Sequence, residues 1–310
     1  MNFYDVEAFV AVVETGSVVG ASAKLHLTQP AVTRRIQSLE RTLGESLLDR
    51  QSKPQKPTAS GRAAYTLARQ LLACADDLRH AVGSKQNARG EFRFGATHSL
   101  SDLALVEAVG QLRKNFPLLV LHTSSDWSQA LLQRVLNGEL DAAAVTLVDN
   151  PDLPDGILSE HIGLLNGVIV CGKDDPTASA TSLKQLSERP WVLNQNGCSM
   201  RSYLERALND RSVPFEVAAE ASGTDLQLAL IARGVGLGVA TEPLLAKSQY
   251  RKNLRVVPVR DFRPRIEVTL VTKMPPQRLA QPIECLRQTL SDVIGPKTRK
   301  LTFAELSRPA

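Results

Sequence analysis

Apolar residues recur at helical spacing from the start of the chain. Phe3, Val6, Phe9, Val10 and Val13 share one face of a helix expected over Phe3 to Glu14, and Gly16 stops it. Ser17 suits the N-cap of a second helix running to Leu25, because its hydroxyl can accept from backbone N–H groups that lack an intrahelical partner. Gly20 inside that helix costs about 1 kcal/mol relative to alanine, so it is expected where another backbone comes close. Thr28 caps a third helix, and Pro30 falls in the first turn, where a missing N–H does no harm. Val32, Ile36, Leu39 and Leu43 recur at i, i+4, i+7 and i+11 and predict one buried stripe. The opposite face presents Gln29, Thr33, Arg34, Gln37 and Arg41. Ser46 to Pro57 then suggests a two-stranded wing.

Thr58 to about Val82 lacks proline, and its one glycine comes in the first turn. Within this long helix Leu67, Leu71, Cys74 and Leu78 repeat at intervals of four, three and four, the seam of a two-stranded coiled coil. Packing of the helix on its own domain is the alternative. Gly83 to Gly90 is polar with two glycines and reads as a hinge. From Glu91 the period changes. Strands are expected at Phe92–Gly95, Val120–Thr123, Ala142–Leu147, Val168–Cys171, Trp191–Leu193, Val217–Glu220, Val239–Ala240 and Ile266–Val271. Helices are expected at Ser101–Asn115, Ser128–Gly138, Ser199–Asn209, Leu226–Arg233 and Arg278–Val293. Repeated βαβ units imply an α/β fold with a mostly parallel sheet, arranged as two small lobes with the last strand and helix returning to the first.

At 310 residues the chain is about twice a typical single domain, so two or three domains are expected. No apolar run approaches the ~18 residues that cross a bilayer. The first ten residues, MNFYDVEAFV, lack a basic segment followed by an apolar core, so no secretory signal, no membrane contact and a cytoplasmic location are expected. Cys74, Cys171, Cys198 and Cys285 are far apart, with neither a CxxC nor metal-ligand spacing, so reduced thiols without structural zinc are expected. No P-loop, GxSxG or HExxH occurs, and Gly234 to Gly238 follows a helix into a strand, the wrong context for a dinucleotide fingerprint. Neither a cofactor nor enzymatic activity is expected. The net charge of +5 is concentrated: Gly20 to Arg62 holds eight lysines and arginines against three acids, an excess equal to that of the whole chain.

That concentration decides how to read the third helix. A polar helix face is ordinarily just solvated. Here its side chains are of types that bond base edges and phosphates, the helix follows another after a short turn, and a basic stretch comes next. A winged helix-turn-helix reading double-stranded DNA results.

The run AFVAVVETGSVVGASAKLHLTQPAVTRRIQSLERTLGESLLDR followed by TASG resembles the N-terminal domain of LysR-type transcriptional regulators. The matching elements are Thr28-Gln29-Pro30-Ala31-Val32-Thr33, Leu39-Glu40 with Leu43-Gly44, Leu47-Leu48-Asp49-Arg50, and Thr58 with Gly61. Val18, Gly20, Leu48 and Pro57 depart from the family pattern. Further on, Phe92-Arg93-Phe94-Gly95, Leu136 to Ala143 and Ile231 to Gly238 resemble signatures of the same family's effector domain, akin to periplasmic binding proteins. The resemblance implies a winged helix-turn-helix over 1–58, a linker and dimerisation helix with hinge over 59–89, and an effector domain over 90–310. Within the last, 90–163 and 266–310 form one lobe and 164–265 the other. It also implies that the linker helix pairs two subunits, through Leu67, Leu71, Cys74 and Leu78.

Base-edge contacts are expected from Gln29, Pro30, Thr33 and Arg34, and phosphate contacts from Thr28, Arg35, Arg50, Lys53 and Lys56. In such α/β domains ligands bind at the carboxyl ends of strands, often at helix N-termini. The residues so placed are Thr97, His98, Ser99, Thr146, Asn194, Asn196, Cys198, Ser199 and Thr224, which suit a small polar or carboxylate-bearing effector unless they merely cap helices. Cys198 at a helix N-terminus is expected to have a lowered thiol pKa, which leaves a redox-sensing regulator as an alternative to effector contact or an inert thiol. A homodimer or homotetramer on an operator of dyad symmetry, working with RNA polymerase, is the expected assembly. A solute-binding or enzymatic α/β protein with an incidental helix-turn-helix is the rival class.

Overall fold

The computed structural model describes residues 2–49, 51–82, 88–148, 153–176, 182–186, 188–273 and 277–295, with backbone only at 73, 76, 77 and 79–82. It contains two compact units, one built on Met1–Asn87, the other on Ala88–Leu136, Leu140–Pro275 and the segment from Leu279.

In the N-terminal unit, α1 (Phe3–Thr15) is started by Asn2, whose side chain accepts from the Tyr4 N–H while Asp5 accepts from the Asn2 N–H, and ends at Gly16 with φ +67°. α2 (Val18–Leu25) is capped by the Ser17 hydroxyl, which accepts from the Gly20 N–H at 3.0 Å. α3 (Gln29–Leu43) is capped by Thr28 and ends at Gly44. The starts of α2 and α3 carry the caps expected there, whereas the Asn2 cap of α1 was not singled out. A Cβ on Gly20 would lie 2.7 Å from the Thr15 Cβ, so the close neighbour that excludes a side chain is the end of α1. Val6, Phe9, Val12, Val32, Ile36 and Leu39 form the core. Leu43, expected on the buried stripe, is 45% exposed; as the last residue of α3 it lies beyond the core that covers the earlier turns.

The wing is a hairpin of β1 (Leu48–Asp49) and β2 (Lys56–Pro57), with Leu48 opposite Pro57. Thr58 ties it to α4 (Ala59–Val82): its hydroxyl donates to the Ser46 carbonyl at 2.8 Å and accepts from the Gly61 N–H at 2.9 Å. A Cβ on Gly61 would sit 1.9 Å from the Leu47 carbonyl oxygen, so only glycine fits. One face of α4, with Ala64, Tyr65, Ala68 and Leu72, packs on the N-terminal core. Leu67, Leu71 and Leu78 lie outside it, 66%, 39% and 68% exposed, and Cys74 is exposed as well. The two expectations for this helix therefore fall on different faces. Of the expected hinge, 83–87 lies outside the described residues.

The C-terminal unit opens with β3 (Gly90–Thr97), then a helical run over 98–115: α5 (His98–Leu100), a π-helical turn and α6 (Val106–Asn115). β4 (Leu119–Asp126), α7 (Ser128–Leu136) and β5 (Ala142–Val148) follow, both strands parallel to β3. Next comes β6 (Leu158–Gly172), a single strand of 15 residues. The remainder is β7 (Pro190–Asn194), α8 (Ser199–Asn209), β8 (Glu216–Ala221), α9 (Thr224–Ala232), β9 (Gly238–Thr241), α10 (Glu242–Lys247), β10 (Leu254–Val257), β11 (Arg265–Thr272) and α11 (Ala280–Ile294).

The expectation of a mostly parallel sheet is corrected here. Seven strands form one sheet in the order β10-β6-β11-β5-β3-β4 with β9 also on β6, and every pairing of β6 and β11 is antiparallel. The cause is β6. Its first part pairs β11 over Leu158–Asn166, and its last part pairs β10 and β9 over Gly167–Gly172, so one strand serves both halves of the unit. β7 and β8 form a separate parallel pair.

Candidate functional sites: the helix-turn-helix face and the crevice

In the N-terminal unit, the exposed face of α3 carries Gln29, Pro30, Thr33, Arg34, Gln37 and Arg41, all in solvent. The turn before it passes through His26 in the left-handed region, φ 54°. Thr33 donates its hydroxyl proton back to the Gln29 carbonyl at 3.0 Å, which leaves its methyl and lone pairs outward. Arg35 is half-buried, its guanidinium 5.1 Å from the centre of the Tyr4 ring, a cation–π contact that sets it beside α1, away from Gln29 and Arg34. Lys53 and Lys56 are exposed on the wing; Arg50 lies outside the described residues.

Two anchoring groups went unnoticed in the sequence. Glu40 sits on the buried side of α3 and accepts from the Leu47 N–H at 2.9 Å and the Leu48 N–H at 3.4 Å, fixing the start of the wing against the helix. The signal available was an acid immediately after Leu39 on the apolar stripe. Glu14 accepts from the Tyr65 hydroxyl at 3.3 Å and pairs with Lys24 at 2.9 Å, joining α1, α2 and α4. Burial first, then the Glu14 carboxylate, pushes the Tyr65 phenol up to about 12.

In the C-terminal unit, eight of the nine residues expected at strand ends converge on one cavity of about 50 Å³: Thr97, His98, Ser99, Thr146, Asn194, Cys198, Ser199 and Thr224. Asn196 is exposed and lies outside the lining, because its loop turns outward before α8 begins. Trp127, Ser128, Gln227 and Thr241 line the cavity although the sequence did not single them out. A polar residue at the first position of α7 and at the end of β9 was the signal.

The cavity lies between the two halves of the unit. The Ser199 hydroxyl donates to the Thr146 carbonyl at 2.8 Å, and the Lys247 ammonium to the Leu103 carbonyl at 3.2 Å, each linking one half to the other. Ser128 donates to the Thr146 carbonyl at 2.7 Å, and His98 meets Trp127 edge to face at 4.6 Å. Asp102 lies near His98 and Thr224, and burial raises its carboxyl above the usual range, partly opposed by the Thr224 hydrogen bond and by His98.

The expected lowering of the Cys198 thiol pKa is overturned. Its thiol is pushed up, because enclosure penalises the thiolate more than the N–H groups of Arg201 and Met200 favour it. A protonated thiol is a weaker nucleophile than a thiolate. Cys285 is occupied elsewhere, accepting from the Asn115 amide at 3.4 Å. Among the described residues no cluster of three His, Cys, Asp or Glu is arranged to hold a metal, and no helix is long and apolar enough to cross a membrane.

Known proteins share this organisation. The nitrogen assimilation regulatory protein nac of Escherichia coli is 26% identical over 247 residues, spanning 78% of this chain and 79% of its own length. A full-length OxyR from Pseudomonas aeruginosa shares the fold with a TM-score of 0.80 at 18% identity, covering 100% of this chain and 97% of that one. CbnR, solved with its target DNA, aligns with a TM-score of 0.60 at 20% identity, covering 93% of this chain and 100% of its own. Residues 3–62 match the bacterial regulatory helix-turn-helix proteins of the lysR family, and 85–294 match the LysR substrate binding domain. The chain therefore belongs to the LysR family of bacterial transcriptional regulators, with a helix-turn-helix DNA-binding domain followed by a substrate-binding domain.

Proposed function

We infer that this regulator binds an operator of dyad symmetry as a homodimer or a dimer of dimers, and that a small effector in the crevice changes how the subunits hold it. The working parts are the winged helix-turn-helix over 1–58, the pairing helix and hinge over 59–89, and an effector domain over 90–310 with lobes over 90–163 with 266–310, and over 164–265. Gln29, Pro30, Thr33 and Arg34 read base edges, while Thr28, Arg35, Arg50, Lys53 and Lys56 hold phosphates. Pairing runs along Leu67, Leu71, Cys74 and Leu78, since one short helix reads too few base pairs for useful specificity. The protein works in the cytoplasm, alongside RNA polymerase and without a catalytic step. A lobe-closing ligand shifts the equilibrium only by its differential affinity for the closed form.

The observation that carries this reading is the solvent-facing N-terminal half of α3, with Gln29, Thr33 and Arg34 on one exposed face beside a basic wing. Arg34→Ala is the test. It is expected to weaken specific binding by about 10- to 100-fold, the worth of one bidentate base contact of about 1–3 kcal/mol, while far-ultraviolet circular dichroism stays unchanged. Unaltered footprint protection of the operator by this variant would refute the assignment of Arg34 to base reading.

A further inference from the structure

The chemistry of the cavity lining narrows what the effector is, granted that the crevice is the effector site. Three helices of nine or more residues start there: Ser128, Ser199 and Thr224 are the first residues of α7, α8 and α9, and all three line the cavity. A helix start presents N–H groups without intrahelical partners and the positive end of the helix dipole. Gly223, the N-cap of α9, has no side chain to cap with, and at α8 the Met200 and Arg201 N–H groups face only the neutral Cys198 sulfur, a weak acceptor. Among the described residues the lining contains no lysine, arginine, aspartate or glutamate, and His98 is its one imidazole; Arg201 acts on Cys198, and the Asp102 carboxyl on His98 and Thr224, from outside the lining.

Two buried atoms in the lining lack a hydrogen-bond partner, the Thr241 Oγ1 and the Asn194 Oδ1. Thr241 is 4% exposed, and its hydroxyl does not cap the helix that follows it. Asn194 is held in one orientation: the Gln227 amide donates to the Val192 carbonyl at 3.0 Å, which turns the Gln227 Oε1 toward the Asn194 Nδ2, also at 3.0 Å. The Asn194 Oδ1 is thereby left as an acceptor. Buried polar atoms are almost always paired, and leaving one unpaired is costly. A ligand that supplies a charged oxygen to the Thr241 hydroxyl and a donor to the Asn194 Oδ1 removes both costs.

We propose that this cavity binds a small, singly charged oxyanion carrying one hydrogen-bond donor of its own, a short hydroxycarboxylate such as glycolate or a protonated inorganic oxyanion such as dihydrogen phosphate. Its charged oxygens face the N–H groups that open α8 and α9 and the Thr241 hydroxyl, and its O–H donates to the Asn194 Oδ1. The volume of about 50 Å³ sets the size. A cavity of about 150 Å³ admits benzene, so one of a third that volume takes only a ligand of a few heavy atoms and excludes aromatic acids. Dispersed N–H dipoles, with no lysine or arginine among the described lining residues, favour a single charge over two.

Isothermal titration of the full-length protein tests this with glycolate, acetate and glycolamide at pH 7 and phosphate at pH 6. Glycolate or phosphate is expected to bind, and which of them does so assigns the carboxylate or the inorganic source. Acetate, which lacks the donor, is expected to bind about tenfold more weakly, the worth of one hydrogen bond in a charged set, and glycolamide, which lacks the charge, not measurably. Thr241→Val keeps the side-chain shape and is expected to weaken anion binding about tenfold on the same ground. Asn194→Asp, which places a carboxylate in the cavity, is expected to abolish it. Binding of neither anion, glycolamide binding as tight as glycolate, or anion affinity unchanged in both variants overturns the proposal. Retardation of DNA fragments by the same preparation separates the two layers. Loss of DNA binding refutes the regulator reading, whereas intact DNA binding without anion binding refutes this inference alone.

Discussion

Glu40 carries an ionisable group into the buried side of α3, where it accepts from two consecutive backbone N–H groups at the start of the wing. Glu40→Ala removes the acceptor and leaves both donors unpaired, so it is expected to destabilise the protein by about 1–3 kcal/mol. Glu40→Gln keeps one carbonyl acceptor and should lose less, which urea unfolding of the two variants side by side would show. Tyr65 gives a pH signature. Its folded-state pKa is raised from 10.0 to about 12, so the stability of the protonated phenol is present in full below pH 10 and is lost as pH climbs through 12. Tyr65→Phe is expected to cost about 1 kcal/mol at neutral pH, through the hydrogen bond to Glu14. It should also flatten the decline in melting temperature over that alkaline window; a decline identical to that of the parent would show that the phenol does not drive it. At this scale the sequence disclosed caps well, because Ser17 and Thr28 act on neighbours three residues away. Glu40, Gln227 and Thr241 were opaque, because their roles depend on partners or enclosures assembled from distant segments. Cys198 was misjudged for the same reason: the helix start was visible, the enclosure that outweighs it was not.

Among elements, the ones that stand alone were legible and the ones that serve two neighbours were not. α8 begins and ends where its periodicity places it. β6 was expected over four residues and spans 15. Its sequence LSEHIGLLNGVIVCG breaks apolar alternation with His161, Asn166 and three glycines, and no local pattern shows that its two ends pair with different strands. The short α10 and β10 were missed too, since runs of six and four residues carry too little periodicity to register. The α4 seam tests what an exposed stripe is for. Leu67 and Leu78 are exposed and lie outside the core cluster of their own unit, so replacing both with aspartate is expected to leave the fold intact and to break the proposed intersubunit seam. The expected result is native circular dichroism with a light-scattering mass that falls toward the single-chain 33.7 kDa. A mass unchanged from the parent would place the dimer contact elsewhere.

For the whole molecule, charge is distributed so that one short segment accounts for the entire excess. The chain is +5 overall, Gly20 to Arg62 alone supplies that value, and the remainder is balanced. On the proposed function, that segment carries the phosphate contacts and the rest contributes little to the counterion balance. The two-unit organisation and the two-lobed pattern were readable because they follow from a change of period at Glu91, whereas the strand directions were not, since antiparallel returns through β6 and β11 are long-range choices. Each phosphate neutralised on duplex DNA contributes about −0.9 to the slope of log affinity against log salt. A homodimer presents Lys53 twice, so Lys53→Gln is expected to reduce the magnitude of that slope by about 1.8, and Lys56→Gln by a similar amount, with a uniform loss of affinity across sequences. Lys252→Gln, equally exposed but in the C-terminal unit, should leave the slope where it was. Operator titrations from about 50 to 200 mM salt decide the matter. Equal slopes for Lys53→Gln and Lys252→Gln would mean that the wing does not touch the backbone, and that the basic excess of this segment acts through α3 alone.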